Sequence, residues 1–258
     1  MNNPKDVNSM YIKNDSLSTR VNLHEKYSVN KYGWKNWVFD QYTMRENISI
    51  LEFGCGTGIS WTGKDEQIPE NVHILLTDIS PLMIEKAKAN LGSNKNFSFQ
   101  VMDIQNMQSM DKRYDIIIAN HLLYHVPDIE KALSEIDGIL KDDGIFYSTT
   151  IGFEHLKELE NIYKLFEGKV KFSYSGNLTF TLDNGKEILS NYFRTIDLKR
   201  YEDSLEITNV NDLMDYILSY NDVPKGVCAE ITNYLERLIL EKKVIKIKKD
   251  SGMFICRK

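Results

Sequence analysis

Between residues 48 and 150, short apolar runs and helical segments take turns along the chain. The runs lie near 48–53, 72–77, 97–102, 114–120 and 145–150, with helices predicted over 80–91 and 128–140. Strands alternating with helices imply a parallel, doubly wound sheet. Ile116, Ile117 and Ile118 are continuous, as expected of a strand buried on both faces. Ser80-Pro81 predicts a helix start, since serine accepts from free amides and proline suits the first turn. Asp143-Gly144 predicts a turn into the fifth strand.

Beyond 151 the rhythm changes. A helix is expected over 153–166, an extended piece at 179–182, and a turn at Asp183-Asn184-Gly185. A short helix over 186–193, a strand over 195–202, helices over 209–220 and 225–242 and a strand over 253–257 complete the reading. The expected fold is α/β: a Rossmann-like, seven-stranded, mostly parallel sheet with helices on both faces, an N-terminal helical lid and a cap in the C-terminal half. Three parts follow: an arm and lid helix at 1–45, a core at 46–150, and a C-terminal part at 151–258 that completes the sheet and carries the cap.

Within the first part, residues 1–20 are polar and read as a mobile arm. Residues 21–45 hold Tyr27, Tyr32, Trp34, Trp37, Phe39 and Tyr42, with a helix expected over 34–44. Two uses fit this segment. It can pack on the sheet edge through Trp34 and Val38, or close over a ligand as an aromatic lid, with Tyr27 or Tyr32 facing the site. Tyr27 is favoured, because it precedes the helix.

The net charge of −5 disfavours a general nucleic-acid surface. Lysines 242, 243, 246, 248 and 249 read as a solvated helix end and a protected edge strand. Three scattered cysteines imply neither a disulfide framework nor a zinc site. No stretch resembles a signal peptide or a membrane span, so a cytoplasmic setting is expected.

The chemistry concentrates at the strand ends, where open α/β sheets bind ligands. The first strand ends in Glu52, followed by Gly54, Gly56 and Gly58. A dinucleotide loop would read G-x-G-x-x-G. Here the spacing is G-x-G-x-G, and the carboxylate before it would repel a phosphate but suit a cationic ligand. Asp78 ends the second strand, where it can accept from ribose hydroxyls, and Asp103 ends the third, where it can accept from an exocyclic amine. Asn120 ends the fourth.

These residues resemble the motifs of the class I S-adenosylmethionine-dependent methyltransferases, and in particular their bacterial small-molecule branch. Leu51 to Gly58 matches the first motif, Thr77-Asp78-Ile79-Ser80 with Pro81-Leu82-Met83 the second, Met102-Asp103-Ile104 the third and Asp115 to Asn120 the fourth. Leu140-Lys141-Asp142-Asp143-Gly144 resembles the turn before the fifth strand, with Asp142 in place of the usual proline. The resemblance implies S-adenosyl-L-methionine as cofactor and S-adenosyl-L-homocysteine as product. It implies that the loop Gly54, Cys55, Gly56 contacts the methionine part through its backbone, and that Glu52 orients the loop amides and binds the amino group through water. Asp78 would hold the ribose, Ile79 and Met83 would pack on adenine, and Asp103 and Ile104 would read the adenine amine and ring. Asn120 would face the amino group and His121 the sulfur.

Transfer of an activated methyl needs in-line positioning and a dry site more than acid–base help. His125, Tyr124 and Tyr27 are the candidates for a catalytic role on the acceptor. His121 and His125 are four apart, but no third ligand is evident, so no metal is expected. The function implied is methyl transfer to the N or O of a small-molecule acceptor, by a monomer or homodimer that acts on neither nucleic acid nor membrane. The alternatives are an S-adenosylmethionine-using cyclase and a non-catalytic binder of the cofactor. The cap aromatics available for the acceptor are Tyr174, Tyr192, Phe193, Tyr201, Tyr216 and Tyr220.

Overall fold

A computed structural model describes residues 14–107, 112–170, 178–220 and 223–258. Seven strands run β1 (Ser49–Phe53), β2 (His73–Asp78), β3 (Phe97–Val101), β4 (Tyr114–Asn120), β5 (Leu140–Ile151), β6 (Thr195–Ile207) and β7 (Ile245–Arg257). They form one sheet in the order β3-β2-β1-β4-β5-β7-β6. The first five pair in parallel, and β7 lies antiparallel to both β5 and β6.

Side chains alternate across a strand, so each strand feeds two cores. Leu51, Phe53, Ile117 and Ala119 face one side, where helix α4 (Ile129–Ile139) covers them with Ala132, Leu133 and Ile136. Asp128 caps α4 by accepting from the Lys131 N–H at 3.0 Å. Ile50, Ile74, Leu76, Ile116 and Ile118 face the other side, under α2 (Trp34–Phe39) and α3 (Pro81–Leu91).

A third core lies beyond the sheet. Strand β5 ends opposite Ser251, but β7 continues outward, pairing with β6 alone through residues 245–250. At ~3.3 Å per residue this ribbon projects roughly 20 Å past the carboxyl ends of the parallel strands. Onto it pack α1 (Asn14–Tyr27), α5 (Lys157–Lys164), α7 (Val210–Tyr220) and α8 (Lys225–Lys242), through Leu23, Leu159, Leu205, Leu213, Ile217 and Leu235. This is the cap. A short helix α6 (Gly185–Leu189) returns to the sheet, burying Leu189 beside Phe193.

Several elements differ from the sequence expectation. The polar arm is helical from Asn14 onward, because α1 is held by cap contacts instead of by its own weak periodicity; residues 1–13 lie outside the described ones. The helix expected over 34–44 stops at Phe39, where tight bonds from the Gln41 and Tyr42 N–H groups to Val38 and Phe39 turn the chain inward. Residues 179–182 form no strand; they lie against the end of β5, with the Leu182 N–H donating to the Ile151 carbonyl at 3.0 Å. The strand expected over 253–257 begins at Ile245, and that over 195–202 continues to Ile207. The lysine run lies on the part of β7 that β5 does not reach, where the Leu156 N–H and the Glu158 carboxylate take the backbone groups of Lys248, and Lys249 turns inward to pair with Asp203.

Candidate active site

The strand order reverses between β1 and β4, which opens a crevice at their carboxyl ends. The glycine loop lines it. Gly54, Gly56 and Gly58 all take positive φ, at 66°, 55° and 69°. A Cβ on Gly54 would lie 2.9 Å from Leu122 Cδ1, whereas one on Gly56 would meet nothing within 4 Å, which leaves the crevice side of the loop open. Asp78 ties the loop to the next strand end. One of its oxygens accepts from the Gly56 N–H at 3.0 Å and the other from the Ser80 N–H at 2.8 Å. Substituting Gly54→Ala will lower stability by about 1–2 kcal/mol, the cost of left-handed backbone for a residue with a Cβ; an unchanged urea midpoint would contradict this.

Glu52 is placed differently from the sequence expectation. It does not touch the loop amides. Its carboxylate accepts from Trp61 Nε1 at 2.5 Å and from Asn120 Nδ2 at 3.2 Å, so it bridges the two strands at the reversal. Asn120 also donates to the Tyr42 hydroxyl at 2.8 Å, and Tyr42 stacks on Trp61 with ring centres 6.0 Å apart. Burial pushes the Glu52 carboxyl up to about 7, with the nearby Asp78 adding to it and the Trp61 and Asn120 bonds opposing it. Asp78 is likewise raised by burial, against the pull of its two amide donors.

Two buried polar atoms here have no partner among the described residues: Asn120 Oδ1 and Ser80 Oγ. Ser80 is the N-cap residue that its position predicts, but its hydroxyl makes no capping bond: the Met83 N–H goes to the Ser80 carbonyl at 3.1 Å, and Asp78 takes the Ser80 amide. Asp103 is partly exposed and accepts from the Gln105 N–H at 2.9 Å. Ile104 is buried in the α4-side core, Met83 is buried at 2% exposure, and Ile79 is half-buried. Cys55 packs into the opposite core, with its N–H on the Thr77 carbonyl.

The N-terminal aromatics exchange their expected parts. Tyr27 does not face the crevice: it is buried in the cap core, and its hydroxyl donates to Asp212. Tyr32 is exposed and donates to Asp40. Trp34, read from the sequence as packing, is the one whose ring meets His121, at 5.4 Å, and it also meets Trp37 and Tyr201 at 5.2 and 5.3 Å. His121 follows β4 with φ 48°, pinned by its N–H on the carbonyl and hydroxyl of Thr149. That left-handed residue starts a tight turn, so His121 and His125 do not share a helix. His125 is solvent-exposed and lies against Tyr124, ring centres 4.5 Å apart. Of the expected cap aromatics, Tyr201 alone meets Trp34 and Trp37; Phe193 is in the sheet core, Tyr192 donates to Glu130, and Tyr216 is in the cap core against Tyr220. Tyr174 lies outside the described residues. The sequence reading named Tyr42 only among the aromatics of the N-terminal segment and did not single out Trp61. The signal for Trp61 was its place three residues after Gly58, within the loop.

Residues 44–212 match a family model described as a methyltransferase domain. The chain belongs to the class I S-adenosylmethionine-dependent methyltransferases. Among curated proteins it is similar to malonyl-(acyl-carrier protein) O-methyltransferase 1 of Ilyobacter polytropus, 29% identical over 71% of this chain and 67% of that one. Among solved structures it resembles a methyltransferase from Bacillus halodurans, with a TM-score of 0.60 at 14% identity over 87% of this chain and 98% of that one. It also resembles phosphoethanolamine N-methyltransferase 2 of Haemonchus contortus in complex with S-adenosyl-L-methionine, with a TM-score of 0.53 at 15% identity, over 88% of this chain and 53% of that one.

S-adenosylmethionine is the cofactor of this methyltransferase, and the crevice suits it. The amino group of the cofactor is a donor, and Asn120 Oδ1 is a buried acceptor without a partner among the described residues. A cation is also welcome where Glu52 titrates near neutrality behind that amide. Among the described residues no helix is long and apolar enough to cross a membrane.

Proposed function

We propose that the chain transfers a methyl group to an oxygen or nitrogen of a small-molecule acceptor bound between the sheet and the cap. The observation that carries this is the set of polar groups at the strand ends around the β1–β4 reversal, with Asn120 Oδ1 unpartnered in it. Glu52, Gly54, Cys55, Gly56, Asn120 and His121 would hold the amino-acid part. Asp78, with lone pairs left after its two amide bonds, would take the ribose hydroxyls. Ile79, Met83, Asp103 and Ile104 would receive the adenine. The bound cofactor supplies a methyl on a positively charged sulfur, which needs no further activation. The protein's share is to align the acceptor and keep water out. Trp34, against His121, would present an aromatic face to the sulfonium and close that end of the crevice. Tyr124 lies next in the same turn, its ring centre 6.3 Å from that of His121, and would face the acceptor. The name of the Ilyobacter relative, an O-methyltransferase, supports oxygen within this pair of acceptor atoms.

Calorimetry is expected to show S-adenosylmethionine binding at micromolar affinity, and a coupled assay to show S-adenosylhomocysteine release with at least one of a set of amines, phenols and carboxylates. Absence of binding, or methylthioadenosine as the product, would overturn this reading.

A further inference from the structure

Beside His121 a polar cluster gathers that the cofactor crevice does not use. His24 comes from α1, His155 from the loop after β5, and Asp203 and Lys249 from the projecting ribbon, where they are cross-strand partners. His24 and His155 stack with ring centres 6.4 Å apart. Lys249, 9% exposed in its side chain, donates to Asp203 at 2.6 Å and lies 5.6 Å from the centre of the Tyr201 ring. Tyr201 in turn meets Trp34 and Trp37, so the cluster adjoins the aromatic wall over His121.

We propose that this cluster is the acceptor subsite, and that it receives an oxyanion: the carboxylate, or the ionised acidic phenol, of a small apolar acceptor. The proposal rests on the methyl-transfer reading and adds the chemistry of the second substrate.

The donors are in place for an oxyanion. His155 Nδ1 accepts from the Asp250 N–H at 3.2 Å, so the proton of the neutral ring sits on Nε2, a donor. An ammonium has three N–H groups, and one from Lys249 goes to Asp203. Asp203 does not compete for a ligand's place, because it is engaged by Lys249, Ser28, the Asn30 N–H and the Ser204 N–H. Asp250 is engaged by Arg200. His24 Nδ1 is buried without a partner among the described residues. Among the described residues there is no group of three His, Cys, Asp or Glu that could hold a metal ion.

The same groups are poor bases. Burial, then the charge of Lys249 among other neighbours, keeps His24 near 4, and burial, His125 and Lys249 do the same for His121. An acceptor that arrives already ionised needs no base. One of its oxygen lone pairs forms the new O–CH3 bond, the S–CH3 bond breaks with its electron pair left on sulfur, and no proton has to leave. Two opposite charges are cancelled in the step, which a dry, low-dielectric site favours.

The test uses the full chain saturated with S-adenosylhomocysteine, titrated in a calorimeter with hexanoate, 4-nitrophenolate and hexanol. At least one anion is expected to bind about tenfold or more tighter than hexanol, and the stronger anion tells carboxylate from phenol. The double variant Lys249→Met with Asp203→Asn removes both charges together, since removing one would strand the other in the interior. It is expected to lose the anion preference while its affinity for S-adenosylhomocysteine stays the same. His155→Leu, which leaves the ion pair intact, is expected to weaken anion binding about fivefold or more, and it serves if the double variant does not fold. Equal binding of hexanol, no binding of either anion to a protein that binds S-adenosylhomocysteine, or an undiminished preference in a folded variant would overturn the proposal. Failure of S-adenosylhomocysteine itself to bind would instead count against the methyl-transfer reading.

Discussion

Replacing Asp78 by alanine will weaken S-adenosylmethionine binding at least tenfold. The side chain has two jobs at once. It fixes the crevice from within, by accepting from Gly56 in the glycine loop and from Ser80 at the start of α3, and it has lone pairs left for the ribose. A hydrogen bond to a charged group contributes about 1.5–3 kcal/mol, and 1.4 kcal/mol is a factor of ten in affinity. Loss of the proposed ribose contact alone would therefore meet the tenfold limit, and a loosened loop would add to it. Calorimetry on the variant, with circular dichroism to show that it is folded, checks the outcome. A variant that binds within about threefold of the wild type would mean that the ribose lies elsewhere.

The second large effect is a pH dependence set by Glu52. Its carboxyl titrates at about 7 in the folded protein, against 4.5 when unperturbed. Between those values the folded chain keeps a proton that the unfolded chain has released. Stability contributed by this group is thus greatest below pH 4.5 and falls as pH rises toward 7, by about 3 kcal/mol in all at ~1.4 kcal/mol per unit. His24 and His121 act in the opposite sense, because their folded values near 4 lie below the unperturbed 6.5 and the unfolded chain holds the extra proton. The Glu52 contribution is isolated by difference. Relative to Glu52→Gln, the wild type is expected to lose stability steadily from pH 4.5 to 7 and then level off. Urea midpoints of the two proteins across that range measure it, and parallel curves would show that Glu52 is not buried as a neutral acid. Cofactor binding should reverse part of the effect, because a cation beside Asn120 favours the ionised carboxylate. Proton release on binding below pH 7 is the accompanying calorimetric sign.

The core was legible because its signals are local. Ile116 to Ile118 announce a strand covered on both sides, and Glu52, Asp78, Asp103 and Asn120 each stand at a strand end fixed by a few residues on either side. What lies around the crevice was less legible, because it is assembled over long separations. Trp34 meets His121 from a helix that precedes the whole sheet, and Lys249 meets Asp203 only because β7 pairs back on β6. Nothing in a lysine run marks its fifth member as buried. Tyr27 was misplaced for the same reason: its partner Asp212 is on α7, far along the chain. The Ser80 capping bond failed for a different one. The Met83 N–H, which a capping hydroxyl would take, goes to the Ser80 carbonyl instead.

Strand β7 belongs to two structures at once. Residues 251–257 close the sheet beside β5, and residues 245–250 form the spine of the cap. Loss of this one strand would therefore free the edge of β5 and take away half of the platform under the cap helices together, so the crevice and its cover share one stability.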